Sequence, residues 1–317
     1  MTAAGLGAIA TGWSLCLPGV QLGPALAAAG LSGPAGGGAA GAGAVGGGAA
    51  GAGAAGDAYP DCPPPDRAAR LLGRRGLLSV EPATRLALCA VHLAFDLPAG
   101  QRPDWPLATD TAVVATGNLG NTGTVARLAR TVAVEGGRAV SVLEAPNASS
   151  NVLASTVARW FRFGGPNLMV CSGSTAGLDG FRLALLLLRS GRAGRVVLVG
   201  AEPADEMAAA LHRTGDPPGS LREGAGCLVL HAGGRAAGPV WLQPVPVDRP
   251  WPDQPWVTVG PGGFDPVAHW GDCYGGQGVV SLALAAQLAA GHGYQLVGVH
   301  CAGEDGIRRA LVRGRGC

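Results

Sequence analysis

The chain has 317 residues and a net charge of +2, and 48% of its residues are hydrophobic, which is enough for one large or two ordinary domains with a real core. All 23 basic residues are arginine and none is lysine, so mechanisms that need a lysine Schiff base or a catalytic ammonium group are excluded. The charges form no basic run, which argues against a nucleic-acid surface.

The N-terminal region begins with a predicted strand and turn, "GLGAIATG", whose glycines do not satisfy the GxGxxG fingerprint of dinucleotide-binding loops. Residues 33–57 are nearly pure glycine and alanine and bury too little apolar surface to offset their ordering entropy. We therefore expect a flexible insertion there. The first basic residue is Arg67, so we expect no signal peptide. The eight cysteines form no CxxC pair or zinc spacing, and this favours a cytoplasmic, reducing setting.

From residue 81 onward, helical patterns alternate with short apolar runs typical of strands. A helix over Glu81 to Phe95 comes first, followed by the strands "TAVVATG", "NLMVCS", "RVVLVGAEP" and "EGAGCLVLHAG" with helices among them. After Pro239 the pattern predicts two strands and the helix "GVVSLALAAQLAAG", then the segments "YQLVGVHCAGEDG" and "RRALVRG". This alternation predicts an α/β fold with helical layers and mixed sheets. The run "LALLLL" is too short to span a bilayer, so we expect no membrane span.

The stretch over 164–180, "GGPNLMVCSGSTAGLDG", passes from an apolar run through a serine, glycine and threonine cluster into a helical pattern. Many enzymes present a nucleophile where a short strand turns sharply into a helix. The free N–H groups at the start of that helix can stabilise negative charge. The sequence therefore indicates this bend as a candidate site.

Several segments, in order, resemble the β-ketoacyl synthase family, which has the thiolase-like fold. The resemblance implies layers in the order α/β/α/β/α. It further implies a ketosynthase-like N-terminal half over 1–232 and a shortened C-terminal half over 233–317. The segments that carry it are "GLGAIATG", "APNASSNVLASTVARWFRFGGPNLMV", "GSTAGLDGFRLALLLLRSGRAGRVVLVGAEP", "REGAGCLVL" and "GDCYGGQGVVSLALAAQL".

The resemblance places Ser174 where the family has its nucleophilic cysteine. The family pattern fits from Gly165 to Leu178 without a gap, and Cys171 lies three residues before Ser174, in the strand. A cysteine at a helix N-terminus ionises readily. A serine there stays protonated at pH 7 and needs a positioned base.

The family's two active-site histidines have no counterpart at their own positions. The loop "VTVGPGGF" has no histidine where the first belongs, and Asp272 occupies the second position when 275–278 is matched to the family's glycine-rich turn. The family's last active-site loop corresponds to "VHCAGEDG", which would bring His300 and Cys301 near Ser174. The resemblance therefore implies Ser174, His300 and Asp272 as catalytic candidates, and Cys301, Gly275 and Gly276 as substrate-binding candidates. It implies no cofactor and no metal.

Three hypotheses remain open. The first is a non-condensing subunit, similar to a chain-length factor, that pairs with a Cys-containing ketosynthase, or with itself, and shapes an acyl tunnel. The second is an acyltransferase or thioesterase that uses Ser174 on acyl carrier protein thioesters, with His300 as base and Asp272 as its orienter. The third is a scaffold that docks carrier protein through exposed arginines such as Arg182, Arg189 and Arg192, which could equally form an ordinary solvated helix face.

Overall fold

The fold is taken from a computed structural model that describes residues 7–31, 62–212, 220–233, 238–251, 257–291, 294–304 and 306–315. The Gly/Ala tract over 33–57 lies outside the described residues. The strands are β1 (Ala8–Cys16), β2 (Thr111–Thr116), β3 (Asn167–Val170), β4 (Arg195–Glu202), β5 (Gly224–Ala232), β6 (Val240–Val245), β7 (Val257–Val259), β8 (Leu296–Gly303) and β9 (Gly306–Gly314). The helices are α1 (Leu22–Ala28), α2 (Ala69–Leu72), α3 (Pro82–Ala94), α4 (Thr122–Glu135), α5 (Val152–Phe161), α6 (Ala176–Arg189), α7 (Glu206–His212), α8 (Pro266–Trp270) and α9 (Tyr274–Gly291).

The predicted alternation of helices and strands after residue 81 is present in the structure. The helix predicted over Glu81 to Phe95 is α3, and the four strands predicted before Pro239 are β2 to β5. Two short helices, α7 and α8, were not predicted, because five to seven residues are too few to show a helical period. The predicted α/β class with mixed strand directions is confirmed.

The nine described strands form one mixed sheet in the order β3-β2-β4-β5-β1-β6-β9-β8-β7. The sheet consists of two similar halves that meet where β1 pairs antiparallel with β6. Outward from this centre, β1-β5-β4-β2 and β6-β9-β8-β7 each make two antiparallel pairings and then a parallel one. The first half continues with parallel β3. Among the described residues, the C-terminal half is therefore one strand shorter than the N-terminal half.

The helices α6 and α9 pack against each other at the centre of the molecule. Almost every side chain of α9 is buried, and the helix contacts strands of both halves of the sheet. The two helices cross at Gly177 and Gly278, where a Cβ atom on Gly177 would lie 2.5 Å from the Cα of Gly278. Only glycine permits this approach, which brings the N-terminal ends of both helices to the same cavity.

The outer faces of the two halves are covered differently. In the N-terminal half, α3 packs on β1, β4 and β5, and α5 packs on β2 and β3. In the C-terminal half, the described residues between β6 and β7, 246–251, contain no helix. Arg309 of β9 holds this loop by donating hydrogen bonds to the carbonyls of Pro246, Val247 and Arg249. Among the described residues, this part of the C-terminal half is therefore covered by a loop, and its shortening relative to the family stays a prediction.

Two further findings concern the membrane and the cysteines. None of the described helices combines the length and the hydropathy needed to cross a membrane.

A disulfide joins Cys16, at the end of β1, to Cys62, 46 residues later. The sequence did not suggest this pairing, because the scattered spacing of the cysteines favours no particular partner.

Candidate functional site

Ser174 lies in a single 3-10 turn, Gly173–Thr175, that joins β3 to α6. Gly173 has a φ of +62°, a left-handed conformation that glycine adopts without steric penalty. The chain can therefore bend sharply between the end of the strand and the start of the helix. The structure places Ser174 at this strand-to-helix bend.

Asp179, in the first turn of α6, fixes the bend around Ser174. Its carboxylate accepts hydrogen bonds from the hydroxyls of Ser172 and Thr175, each at 2.9 Å, and from Nε of Arg308 at 2.6 Å. Burial raises the pKa of Asp179, but the hydrogen bonds outweigh burial and leave this pKa below its ordinary value. The carboxylate is therefore ionised at neutral pH and acts as an acceptor for both hydroxyls.

Asn118 supports the same bend from the other side. It lies two residues after β2, and its side-chain amide makes two hydrogen bonds with the backbone of Gly173. Oδ1 accepts from the Gly173 N–H and Nδ2 donates to the Gly173 carbonyl, both at 3.2 Å. The residue before Ser174 is thus fixed by a side chain 55 positions earlier in the chain.

Glu202, at the end of β4, connects this support to the start of α9. Its wholly buried carboxylate accepts hydrogen bonds from the backbone N–H groups of Asn118 at 2.5 Å, Leu119 at 3.0 Å and Gly275 at 3.2 Å. Burial raises the pKa of Glu202 to about 8, although the three N–H donors oppose that rise. Backbone N–H groups from the loop after β2 and from the first turn of α9 therefore donate to the same carboxylate, that of Glu202.

A cavity of about 910 Å³ opens beside the bend. The structure brings four of the predicted site residues to its wall, namely Ser174, Asp272, His300 and Cys301, and adds His212 from the end of α7. The end of β8 lies directly against the bend, since a Cβ atom on Gly303 would be 3.2 Å from the Cβ of Ser174. A cavity of this volume lies within the range of small-molecule binding sites.

Asp272 is paired with His212. Its Oδ2 lies 3.0 Å from Nε2 of His212, and its Oδ1 accepts the backbone N–H of Tyr274 at 2.7 Å. The His212 ring packs edge-on against Tyr274, with ring centroids 5.2 Å apart. Asp272 therefore orients His212 and caps the start of α9, whereas the sequence hypothesis had it orient His300.

His300 is held by a backbone carbonyl. Its Nδ1 lies 3.3 Å from the carbonyl oxygen of Pro261, and because a carbonyl oxygen can only accept, Nδ1 is the donor of this contact. Nε2 is buried and has no hydrogen-bond partner among the described residues. Pro261 belongs to the loop that the resemblance matched to the family's first histidine. The loop itself has no histidine, but the imidazole of His300 reaches it from β8.

Gly275 and Gly276 pack α9 against β4 and do not line the cavity. A Cβ atom on Gly275 would lie 2.9 Å from Oε1 of Glu202, and one on Gly276 would lie 3.0 Å from the backbone nitrogen of Ala201. Both glycines therefore permit close helix-to-strand packing. Their role in substrate binding stays a prediction.

Cys171 is the cysteine closest to the bend in the sequence, and Cys301 is the one closest to it in the cavity. Both are protonated at neutral pH. Burial, and then the charge of Glu202, raise the pKa of the Cys171 thiol. Burial, assisted by nearby carboxylates including Asp272, raises the pKa of the Cys301 thiol to about 12. Neither cysteine offers a thiolate in place of the Ser174 hydroxyl.

Three residues that organise the site were not selected from the sequence, namely Asn118, Asp179 and His212. Asn118 follows a strand in a Gly/Asn-rich loop, and Asp179 lies in the first turn of a helix. Each of these sequence positions is only a weak indication of a structural role. Nothing in the sequence marks His212, because its partner Asp272 is 60 residues away.

A family model described as "Beta-ketoacyl synthase, N-terminal domain" matches residues 54–215, just over half of the 317-residue chain. No curated protein matches the chain significantly.

Solved ketosynthase structures superpose on nearly the whole chain. The ishigamide ketosynthase/chain length factor aligns with a TM-score of 0.70 at 20% identity, over 98% of this chain and 100% of that one. The AntDE:AntF structure, a type II PKS acyl-carrier protein in complex with its ketosynthase bound to the hexaketide, gives 0.67 at 12% identity, over 98% and 99%. The oxazolomycin ketosynthase domain OzmH KS8 from Streptomyces albus JA3453 gives 0.55 at 14% identity, over 98% and 96%. The thiolase-like architecture expected from the sequence is confirmed.

Proposed function

The chain belongs to the β-ketoacyl synthase family, and from that premise we propose that it is a non-condensing subunit of a type II polyketide or fatty acid synthase system. In this role it pairs with an active ketosynthase and shapes the site that holds the growing acyl chain. Its other partner is an acyl carrier protein, as in the AntDE:AntF complex. A complex of two copies of this chain is the alternative form of pairing.

The observation that carries the proposal is the intact bend with a hydroxyl at its centre. Asp179 accepts hydrogen bonds from the hydroxyls of Ser172 and Thr175, and Asn118 bonds to the backbone of Gly173. The bend that presents Ser174 is therefore fixed on both sides. The hydroxyl of Ser174 does not ionise at neutral pH, and the nearby thiols of Cys171 and Cys301 are protonated. A protein that keeps this geometry without a thiolate is suited to holding an acyl chain that another subunit extends.

An exposed apolar surface supports pairing with a second subunit of the same fold. Only Thr124 is buried among the 14 residues of α4, and β3 has no neighbouring strand on one side among the described residues. Exposed apolar side chains that lie together mark protein interfaces. Five side chains between α4 and the following turns are 42–85% exposed, namely Val125, Val132, Val134, Val142 and Leu143.

Co-expression with a Cys-containing ketosynthase tests the pairing. We expect the two chains to purify together, and the double variant Val142→Asp/Leu143→Asp to separate them, because buried unpaired carboxylates are costly at an interface. Val247→Asp, which changes an exposed side chain of the C-terminal half, is the matched control and should leave the complex intact. A chain that always purifies alone as a monomer would rule out the pairing.

A second candidate function is Ser174-dependent acyl transfer or thioester hydrolysis. It is favoured by the arrangement of Ser174, His212 and His300 around one cavity, with one nitrogen of each ring unpartnered among the described residues. Incubation with acylated carrier protein would then give an acyl adduct detectable by intact mass. The adduct should be lost in Ser174→Ala and retained in Cys171→Ala. Absence of any adduct across chain lengths would remove this candidate.

A further inference from the structure

A second cavity, of about 320 Å³, opens on the outer face of the N-terminal half of the sheet. It lies between the start of α3 and one side of α5, and the loop 76–81 forms part of its wall. On β2, Val113 packs in the core on this face, whereas its neighbours Ala112 and Val114 pack in the core around α6 and α9. The sheet therefore separates this cavity, which we call the outer pocket, from the cavity beside Ser174.

Two arginines line the outer pocket, and neither forms an ion pair with a carboxylate of the described residues. The guanidinium group of Arg102 stacks on the Trp160 ring, 3.7 Å from the ring centroid, and donates a hydrogen bond to the carbonyl of Arg75. Arg159, the residue before Trp160 on α5, is exposed and makes no hydrogen bond with the described part of the chain. Most of the N–H donors of both guanidinium groups are therefore available to a ligand.

Positive charge around the outer pocket exceeds negative charge. Glu81 is the one carboxylate among the described lining residues, and its Oε1 accepts the hydroxyl of Thr124 at 2.5 Å. One turn later on α3, Arg85 donates only to backbone carbonyls within the described residues, so its charge is not neutralised by a carboxylate. Burial, and then the charge of Arg75, lower the pKa of the Arg102 guanidinium. An anion in the outer pocket would relieve this repulsion.

Two buried hydroxyls in the wall of the outer pocket lack partners. Thr84 and Thr156 line it and are only 2% and 5% exposed. Neither hydroxyl makes a hydrogen bond to any described residue. The backbone N–H of Thr84 is also unused, because helical bonding in α3 begins at Arg85. Buried polar groups are normally satisfied, so these donors point to a polar ligand or water.

We propose that the outer pocket binds the phosphate group of a small molecule, held between Arg102 and Arg159 and hydrogen-bonded by the hydroxyls of Thr84 and Thr156. A phosphate dianion accepts hydrogen bonds, and each of these four side chains can donate. Planar guanidinium groups match phosphate oxygens with pairs of N–H donors. Free phosphate and the monoester of a small organic molecule share this chemistry, and the monoester would place its organic part against the apolar side chains of the wall.

Calorimetric titration of the purified chain at low ionic strength tests the proposal with two probes, inorganic phosphate and glycerol 3-phosphate. We expect both to bind saturably, and glycerol, which lacks the charge, not to bind. Tighter binding of glycerol 3-phosphate would identify an organic phosphate as the ligand, and equal affinities would identify the free ion. Added NaCl should weaken both affinities, because salt screens the attraction between the anion and the arginines.

Arg159→Gln should weaken the binding of both probes at least about tenfold, because it removes a charge-assisted contact with phosphate. Arg159 is exposed, so the variant should fold. Thr156→Val keeps the shape of the side chain, removes its hydroxyl and should weaken binding about threefold. Arg189→Gln, which removes an exposed arginine of α6, is the matched control and should leave both affinities unchanged.

Three results would overturn the proposal. They are the absence of saturable binding of either probe, an unchanged affinity in Arg159→Gln, and an equal loss of affinity in Arg159→Gln and Arg189→Gln. The last result would mean that the probes respond only to the net charge of the chain. The titrations use the chain alone, so their outcome does not depend on pairing with a ketosynthase or on acyl transfer at Ser174.

Discussion

The bend before α6 and the turn before α9 open onto the same cavity, but they are built from different parts. At the first, Asp179 on the helix accepts from the Thr175 hydroxyl, and Asn118 across the bend bonds to the backbone of Gly173. At the second, Asp272 caps the helix and also orients His212. By the family resemblance, the first turn has Ser174 in the cysteine position, and the second has Asp272 in a histidine position.

This difference shows how a fold can be kept while its chemistry changes. The backbone supports at the first turn are local or come from the adjacent loop, so a serine fits there without rearrangement. The imidazoles at the second turn and its neighbouring loop come from α7 and β8, as His212 and His300. The predictions below test whether the two turns depend on each other, beginning with the largest effect.

Gly177→Ala should separate the two turns by forcing α6 and α9 apart. The new Cβ would lie 2.5 Å from the Cα of Gly278, and backbone cannot move aside as a flexible side chain can. We expect a loss of about 2–4 kcal/mol in the free energy of unfolding by chemical denaturation. Gly123→Ala, a helical glycine whose Cβ would approach no atom closer than 3.5 Å, should be neutral or stabilising. Equal effects of the two substitutions would contradict the close helix crossing.

Glu202→Gln should change how stability depends on pH, because Glu202 connects the two turns. A carboxyl whose folded pKa, here about 8, lies above its unfolded value contributes stability that is present at low pH and is lost as pH rises through the folded pKa. The parent chain should lose about 2 kcal/mol more unfolding free energy between pH 6 and pH 8 than the glutamine variant. Denaturant titrations at both pH values measure this. Parallel pH profiles of the parent and the variant would contradict a buried, protonated Glu202.

The sequence predicted the bend and most strands, because each depends on local patterns of apolar residues, glycine and serine. Ser174 as the nucleophile position follows from the family resemblance and stays a prediction. The family resemblance also placed His300, Cys301 and Asp272 near Ser174, and these residues do line one cavity. The pairing of Asp272 with His212 could not be predicted, since it depends on where the short helix α7 ends in space. The loop in place of an outer helix was likewise not predicted, because a long-range arginine contact from β9 holds it.

Ser174→Cys should show whether the first turn still activates a nucleophile. Free N–H groups at the start of α6 lower the pKa of a thiol placed there, whereas burial raises the pKa of Cys171 and Cys301. At pH 7.5 we expect iodoacetamide to modify the thiol introduced at position 174 at least about tenfold faster than Cys171, as measured by peptide mass mapping. A modification rate no faster than that of Cys171 would mean that the start of α6 does not activate a thiol at position 174.

Asp179→Asn should have the smallest effect, since the change keeps the shape of the side chain and removes its charge and one of its two acceptor oxygens. Burial raises the pKa of Asp179, yet the hydrogen bonds from Arg308, Ser172 and Thr175 leave it below its ordinary value. Such a carboxylate contributes stability above its unfolded pKa and loses it as pH falls through the folded one. We therefore expect a deficit of about 1 kcal/mol at pH 7, reduced because the pair with Arg308 is partly exposed, and a deficit that disappears in acid. A deficit that stays constant down to pH 3 would contradict a stabilising contribution from the charge of Asp179.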